Sequence, residues 1–274
     1  MDDSGKRAAN PVVTAATFVF RAGAYARFSK HWNEALDEFG LSRVEGGPGY
    51  FHMVDFAAKT KPYYDWPEHV RRERLNILLD AIVDNASRVA STWVPVPQYE
   101  ASVRKKSDIR LGGPFGMAAV SCFLLLGHWL RGHPEAQIAL VLEDGSEGMG
   151  QIEKTYKMMK YEHAVPGYSR LYSFTHAGKE VAGLQAADML AYEMQRRGAT
   201  MIGGDPRPVR PYILRRLNKI DGTMAILETI QLRRWSDAFE HNFTGSQFDE
   251  KRNLITWPDG RIEPLSNYVR DEWF

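Results

Sequence analysis

The stretch Gln137-Ile-Ala-Leu-Val-Leu142-Glu143-Asp144-Gly145 decides the fold class of this chain. The segment from Gln137 to Leu142 is a continuous apolar run of strand length, which is typical of a β-strand covered on both faces. Two acids and a glycine end the run, so carboxylates are expected where this strand leaves its sheet. The stretch therefore predicts a sheet with helices on both faces and acidic side chains at one edge.

Strand-like and helix-like segments alternate around this stretch. Segments rich in β-branched and aromatic residues predict strands over residues 11–20, 89–96 and 168–175. Apolar residues at helical spacing predict helices over residues 24–39, from 67 onward, and over 114–132, 149–161 and 184–197, the last ended by Gly198. The alternation predicts an α/β fold: a mixed sheet containing residues 12–20, 89–96 and 137–142, with helices on both faces.

The chain is expected to form one domain over residues 1–200, with residues 201–274 as a C-terminal extension packed on the same domain. The extension contains a basic helical segment over residues 210–219. A β-hairpin is predicted over residues 254–262, because Asp259-Gly260 is a preferred turn pair between two apolar segments.

The composition limits the class of protein. The chain is 44% hydrophobic and 25% charged with a net charge of +1, which is ordinary globular composition. It is not a polycation, so any nucleic-acid binding must use local basic patches. The single cysteine, Cys122, excludes an internal disulfide framework and a cysteine-rich zinc site. Because it lies in an apolar run, a buried and inert thiol is predicted.

A cytoplasmic protein without membrane contact is expected. The first residues have no signal-peptide character, and a lone cysteine fits a reducing compartment. The longest apolar run, over residues 117–130, is interrupted by polar residues and is shorter than the roughly 20 residues that cross a bilayer.

Acidic residues stand out at three places: Asp2-Asp3, Glu143-Asp144 and Asp188. Asp188 is the most informative, since helical spacing puts it among small apolar residues, where a carboxylate is seldom buried without a partner. Each acid also has a purely structural interpretation. Asp188 could accept hydrogen bonds from a backbone amide or an arginine, Asp144-Gly145 could be a simple turn, and Asp2-Asp3 could be a solvated terminus.

Four segments, taken in order, resemble a bacterial and phage domain-of-unknown-function family of the ribonuclease-H-like superfamily. The resemblance covers roughly residues 2 to 200, and its late motif is the more specific. The segments are Asp2-Asp3-Ser4-Gly5, Phe51-His52-Met53-Val54-Asp55-Phe56, Leu142-Glu143-Asp144-Gly145, and Leu184-Gln185-Ala186-Ala187-Asp188-Met189-Leu190-Ala191-Tyr192.

The resemblance implies a ribonuclease-H-like sheet in which three acids meet: Asp2, then Glu143 or Asp144, then Asp188. Clustered carboxylates repel one another, and a divalent cation removes that penalty. Hard oxygen donors suit Mg²⁺ or Mn²⁺, so Asp2, Glu143 and Asp188 are the implied metal ligands.

The second motif adds His52 and Asp55 as further polar candidates for the catalytic set, although His52 could equally be a hydrogen-bonded structural residue. The implied activity is metal-dependent hydrolysis of phosphodiester bonds in DNA or RNA. The alternative is a catalytically inactive ribonuclease-H-like module that binds nucleic acid or a protein partner. Convergence of the three carboxylates would favour the enzyme.

Clusters of basic residues are candidates to hold phosphate groups, although solvated helix faces explain such clusters equally well. Aromatic residues of the loop over 59–66 could stack on bases or pack in the core. The basic candidates are Arg71, Arg72, Arg74, Arg104, Lys105, Lys106, Arg196, Arg197, Arg207, Arg210, Arg215 and Arg216, and the aromatic ones are Tyr63, Tyr64 and Trp66.

Overall fold

A computed structural model describes residues 1–4, 10–41, 50–145, 148–161, 170–203, 210–229, 231–233, 236, 247–249, 254–256 and 260–264. The strands are β1 (Asp2–Ser4), β2 (Val12–Phe20), β3 (Ala86–Pro95), β4 (Ile138–Glu143), β5 (Leu171–Ala177), β6 (Gly222–Ile226), β7 (Gln247–Asp249), β8 (Leu254–Thr256) and β9 (Ile262–Pro264). The helices are α1 (Ala22–Glu38), α2 (Met53–Ala58), α3 (Glu68–Asn85), α4 (Val96–Ser102), α5 (Lys105–Leu111), α6 (Gly113–Arg131), α7 (Met149–Tyr161), α8 (Ala182–Met201) and α9 (Pro211–Leu217).

The central sheet is mixed, as predicted. Its strand order is β1-β2-β3-β6; β1–β2 and β2–β3 are antiparallel and β3–β6 is parallel. The predicted strand over residues 137–142 forms β4, but its predicted place in this sheet is wrong, because β4 pairs with β5 in a separate two-stranded sheet. Met1 links the two sheets, because its backbone nitrogen donates to the Val141 carbonyl and its carbonyl accepts from the Glu143 nitrogen at 3.2 Å. The end of β4 therefore lies beside the start of β1.

Helices cover both faces of the central sheet, as predicted. Alternate residues of β2 point to opposite sides. Val13 and Ala15 pack in a core with α6, whereas Val12 and Ala16 pack in a second core with α1, α3 and α8. Strands buried on both faces favour apolar or small side chains, which fits β2 and most of β3; the exception, Arg88, pairs with Asp221 at 2.7 Å.

Helix α6 forms the centre of the first core. It is the one helix in the described part of the chain that is long and apolar enough to cross a membrane, and 78% of its most apolar window is buried inside the protein. Its packing on β2 and β3 accounts for that apolarity. Cys122 is fully buried there, and burial raises the pKa of its thiol to about 12. The prediction of a buried thiol is confirmed.

Helix α8 crosses the opposite face of the sheet. The prediction that Gly198 ends this helix is wrong, because the helix continues to Met201. A Cβ atom at Gly198 would lie 2.8 Å from Cε3 of Trp93 and 3.1 Å from Cγ1 of Val12. The glycine is therefore a contact residue that lets the helix backbone approach β2 and β3 closely.

The chain after residue 201 contributes to the same core. Strand β6 pairs with β3, and Ile213, Leu214 and Leu217 of α9 pack in the second core. The predicted hairpin is formed by β8 and β9, which pair from Leu254–Pro264 to Thr256–Ile262. Gly260 has φ +82°, while Asp259 lies outside the described residues.

Candidate functional site

Helix α8 places Asp188 in the protein interior, with only 7% of the residue exposed. Its Oδ2 accepts a hydrogen bond of 2.7 Å from the backbone nitrogen of Met53, at the start of α2. Burial raises the pKa of Asp188 to about 6, and the negative charge of Glu143 adds to that rise. His52, the Met53 amide and Lys179 act in the opposite direction. These influences come from three separate parts of the chain, which meet at one carboxylate on α8.

Glu143 lies at the end of β4 and is 9% exposed. Its Oε1 is 3.2 Å from Nζ of Lys179, in the loop between β5 and α8. The parallel pairing of β4 with β5 brings these residues together, because the Asp144 nitrogen donates to the Ala177 carbonyl at 2.8 Å just beyond the ladder. Lys179 was not singled out from the sequence, since nothing in its local pattern shows that its loop returns to the end of β4.

His52 precedes α2 and connects Lys179 with a second acid. Its Nδ1 is 2.8 Å from Oδ2 of Asp55, and its Nε2 is 3.5 Å from Nζ of Lys179. An ionised carboxylate only accepts hydrogen bonds, so the neutral imidazole carries its hydrogen on Nδ1 and presents a lone pair at Nε2. We call Asp55, His52, Lys179, Glu143 and Asp188 the polar cluster.

Gln185 holds the two loops that carry this cluster. Its Oε1 accepts from Nε1 of Trp32 at 2.8 Å and from the Phe51 nitrogen at 2.9 Å, and its Nε2 donates to the Lys179 carbonyl at 3.0 Å. The side chain is buried. Gln185 belongs to the late sequence motif, and its three bonds give it a positioning role there.

The loop over residues 59–66 supplies packing to the site. Tyr63 is 1% exposed, and its hydroxyl oxygen accepts a 3.1 Å hydrogen bond from the His52 nitrogen. Its ring packs against Phe51, Phe56 and Trp66. Of the two roles considered for these aromatic residues, Tyr63 and Trp66 therefore have the packing role, while Tyr64 is 61% exposed.

The structure brings together four of the six predicted site residues: His52, Asp55, Glu143 and Asp188. Asp144 is exposed, and its Oδ1 accepts a 2.9 Å hydrogen bond from the Gly145 nitrogen, which is the turn interpretation of this pair. The backbone of Asp2 pairs with Ala16, directly after the Met1 link to β4. Its side chain lies outside the described residues.

The predicted metal site is tested by the donor atoms present. Among the described side chains, no group of three or more His, Cys, Asp or Glu could hold a metal ion. Glu143 and Asp188 supply oxygen donors of the type that Mg²⁺ and Mn²⁺ prefer, and the ammonium of Lys179 bonds to one of them. The donor type fits a hard divalent cation, which would have to take the place of Lys179 at Glu143.

No protein-family model, curated protein or solved structure matches this chain. The ribonuclease-H-like resemblance therefore stays a prediction, and the function must be argued from the polar cluster itself.

Proposed function

We propose that the chain is a metal-dependent nuclease that hydrolyses phosphodiester bonds at the polar cluster. The observation that carries the proposal is the meeting of Glu143 and Asp188 beside one ammonium group. The charges of Glu143, at a strand end, and of Lys179, in a loop, both act on Asp188 of helix α8. Buried acids at such junctions are costly and concentrate at functional sites.

Glu143 and Asp188 would hold the cation. Asp2 would be the third ligand, since its backbone follows the Met1 link to β4. When bound, Mg²⁺ or Mn²⁺ would polarise the scissile phosphate and lower the pKa of a bound water. Mg²⁺ sites commonly rely on substrate phosphates to complete the coordination shell, so weak binding without substrate is expected.

The remaining groups of the cluster have roles of their own. With Nδ1 bonded to Asp55, the Nε2 lone pair of His52 can accept a proton from an attacking water. Lys179, once released from Glu143, can place its positive charge against the phosphate oxygens, where negative charge develops during hydrolysis. Asp55 orients the imidazole through its bond to Nδ1.

A second candidate function is an inactive module that binds nucleic acid or a protein. The Glu143–Lys179 ion pair favours it, because the lysine already supplies the counter-charge that a metal would provide. In that case the polar cluster is a structural network whose charges are balanced within the protein.

The decisive experiment is a cleavage panel. Single-stranded and double-stranded DNA, RNA and hybrid substrates are incubated with Mg²⁺, Mn²⁺ or EDTA. Wild type is compared with Asp188→Asn and with Glu180→Gln, an exposed acid next to Lys179. Cleavage with a divalent ion that is abolished in Asp188→Asn and kept in Glu180→Gln supports the nuclease. If no substrate is cut, or if Asp188→Asn cuts as well as wild type, the inactive module remains.

A further inference from the structure

A cavity of about 860 Å³ lies between α2, α3, α8 and α9. Its size is that of pockets that enclose organic ligands. Six cationic side chains line it together with one carboxylate, that of Glu68. The cations are Lys59, Arg71, Arg72, Arg196, Arg210 and Arg215.

The carboxylates near the cavity balance only part of this charge. Glu68 pairs with Arg71 at 3.0 Å and with Lys59 at 3.5 Å. Glu193, which is fully buried, lies 3.3 Å from Arg210. The described residues that line the cavity therefore carry more positive than negative charge, even when the buried Glu193 is counted with them. Such an excess around one concave surface favours an anionic ligand.

Arg71 is the best-defined of these cations. Only 6% of its side chain is exposed, so it is a buried charge in the cavity wall. Its two terminal nitrogens bond to Glu68 and to the Phe56 carbonyl, while its Nε has no hydrogen-bond partner among the described residues. A buried positive charge is costly, and the negative charge of an anion in the cavity would offset part of that cost.

Aromatic rings lie beside two of the guanidinium groups. The Arg71 guanidinium lies 4.6 Å from the centre of the Phe56 ring, and that of Arg72 lies 5.4 Å from the centre of the Tyr212 ring. The terminal N–H groups of Arg71 bond to Glu68 and to the Phe56 carbonyl, so Arg71 contributes its charge to the cavity. Arg72 is exposed, and its planar guanidinium can offer paired N–H donors, which match phosphate oxygens.

The cavity and the polar cluster share two helices. Asp188, Tyr192 and Arg196 follow one another at four-residue spacing along α8, which puts them on one face at about 6 Å and 12 Å from Asp188. Tyr192 and Arg196 line the cavity. Helix α2 begins at Met53, which contacts Asp188, and its later residues Phe56–Ala58 line the cavity. A ligand that contacts Tyr192 and Arg196 would therefore lie one to two helical turns from Asp188.

We propose that this basic cavity binds a ligand that carries two or more phosphate groups. Two sources have that chemistry: a segment of a nucleic-acid strand and a free nucleoside polyphosphate. The former would deepen the proposed nuclease function by holding the phosphates next to the scissile bond. The binding itself does not depend on catalysis.

The test measures binding in EDTA, so that cleavage plays no part. Fluorescence anisotropy follows a short labelled DNA oligonucleotide, with ATP and inorganic pyrophosphate as competitors at constant ionic strength. Wild type is compared with the double variant Arg72→Ala/Arg215→Ala, which removes two exposed cations from the rim. The control is Arg197→Ala, an exposed arginine on α8 that does not line the cavity.

We expect the double variant to weaken binding about tenfold or more and to lower the salt dependence of log K by about two. Arg197→Ala should stay close to wild type. If ATP and pyrophosphate compete at concentrations near that of the oligonucleotide, the preferred ligand of the cavity is a free polyphosphate. If neither competes, the preferred ligand is a nucleic-acid strand. The proposal is overturned if wild type binds none of the three probes, or if the double variant and the control weaken binding equally. Binding without any cleavage would remove the nuclease proposal and leave this one standing.

Discussion

The backbone nitrogen of Met53 donates a 2.7 Å hydrogen bond to Oδ2 of Asp188, which joins the first turn of α2 to the second turn of α8. This bond favours the ionised acid, yet burial dominates and the pKa rises to about 6. The Met53 amide therefore fixes the position of the carboxylate, while burial disfavours its negative charge.

Asp188→Asn should become increasingly more stable than wild type as the pH rises. The folded-state pKa of about 6 exceeds the ordinary value of 3.8, so the folded protein holds this proton more tightly than the unfolded chain. The free energy of unfolding of wild type therefore falls as the pH rises from the unfolded-state pKa to the folded-state pKa. At 1.36 kcal/mol per pKa unit, the total loss is at most about 3 kcal/mol. The amide keeps an acceptor for Met53 and does not titrate.

Urea unfolding in EDTA at a series of pH values from about 4 to 7 measures this difference. The control is Glu180→Gln, which neutralises an exposed acid outside the polar cluster. A loss of about 1–3 kcal/mol in Asp188→Asn at every pH would show instead that the carboxylate is a structural acceptor.

Lys179→Met should lower the melting temperature in EDTA and increase the response to Mn²⁺. The substitution removes the ammonium 3.2 Å from Glu143 and leaves the repulsion between the charges of Glu143 and Asp188 without that counter-charge. Because 38% of the Lys179 side chain is exposed, water screens the pair and the expected loss is about 1 kcal/mol. In this variant a divalent ion can bind Glu143 without displacing an ammonium group, so Mn²⁺ should raise the melting temperature more than in wild type.

Thermal unfolding with millimolar Mn²⁺ checks this prediction. Lys30→Met removes an exposed lysine that lies 3.8 Å from Glu34 and serves as the control. An Mn²⁺ response that is equal in wild type, Lys179→Met and Lys30→Met would speak against a cation site at Glu143.

Gln185→Leu should destabilise the fold by about 2–4 kcal/mol. It removes the acceptor of two buried donors, Nε1 of Trp32 and the Phe51 nitrogen, and each unmet buried donor costs about 1–3 kcal/mol. Gln151→Leu, on a half-buried position of α7, is the comparison and should cost much less. Equal unfolding midpoints in urea for the two variants would refute the positioning role of Gln185.

Gly198→Ala should cost about 1–3 kcal/mol although alanine is the better helix former, because the new methyl would meet Cε3 of Trp93 at 2.8 Å. Gly23→Ala is the matched substitution in α1, where no atom lies within 4 Å of the added carbon. That change should be neutral or stabilising by up to about 1 kcal/mol. The same sign for both variants in thermal unfolding would contradict the close approach of α8 to the sheet.

Several features of the site could be anticipated from the sequence. One of the two acids that end a predicted strand, Glu143, and the acid among small residues of a late helix, Asp188, are members of the polar cluster. Both Glu143 and Asp144 stayed in the predicted catalytic set, because adjacent residues at a strand end point in different directions and the direction depends on the neighbouring strand. Pairing with β5 leaves Glu143 inward and Asp144 exposed.

The sequence by itself determined the secondary-structure elements that depend on local periodicity, such as the strands over β2 and β3 and the helices α1, α3 and α6. It also determined which acids are unusual for their surroundings. Only the tertiary structure decided that Lys179 is the counter-ion of Glu143, that Gly198 lies inside a helix, and that arginines from α3, α8 and α9 line one cavity. The reason is physical: periodicity and propensity act over a few residues, whereas charge pairing and close packing join segments far apart in the chain.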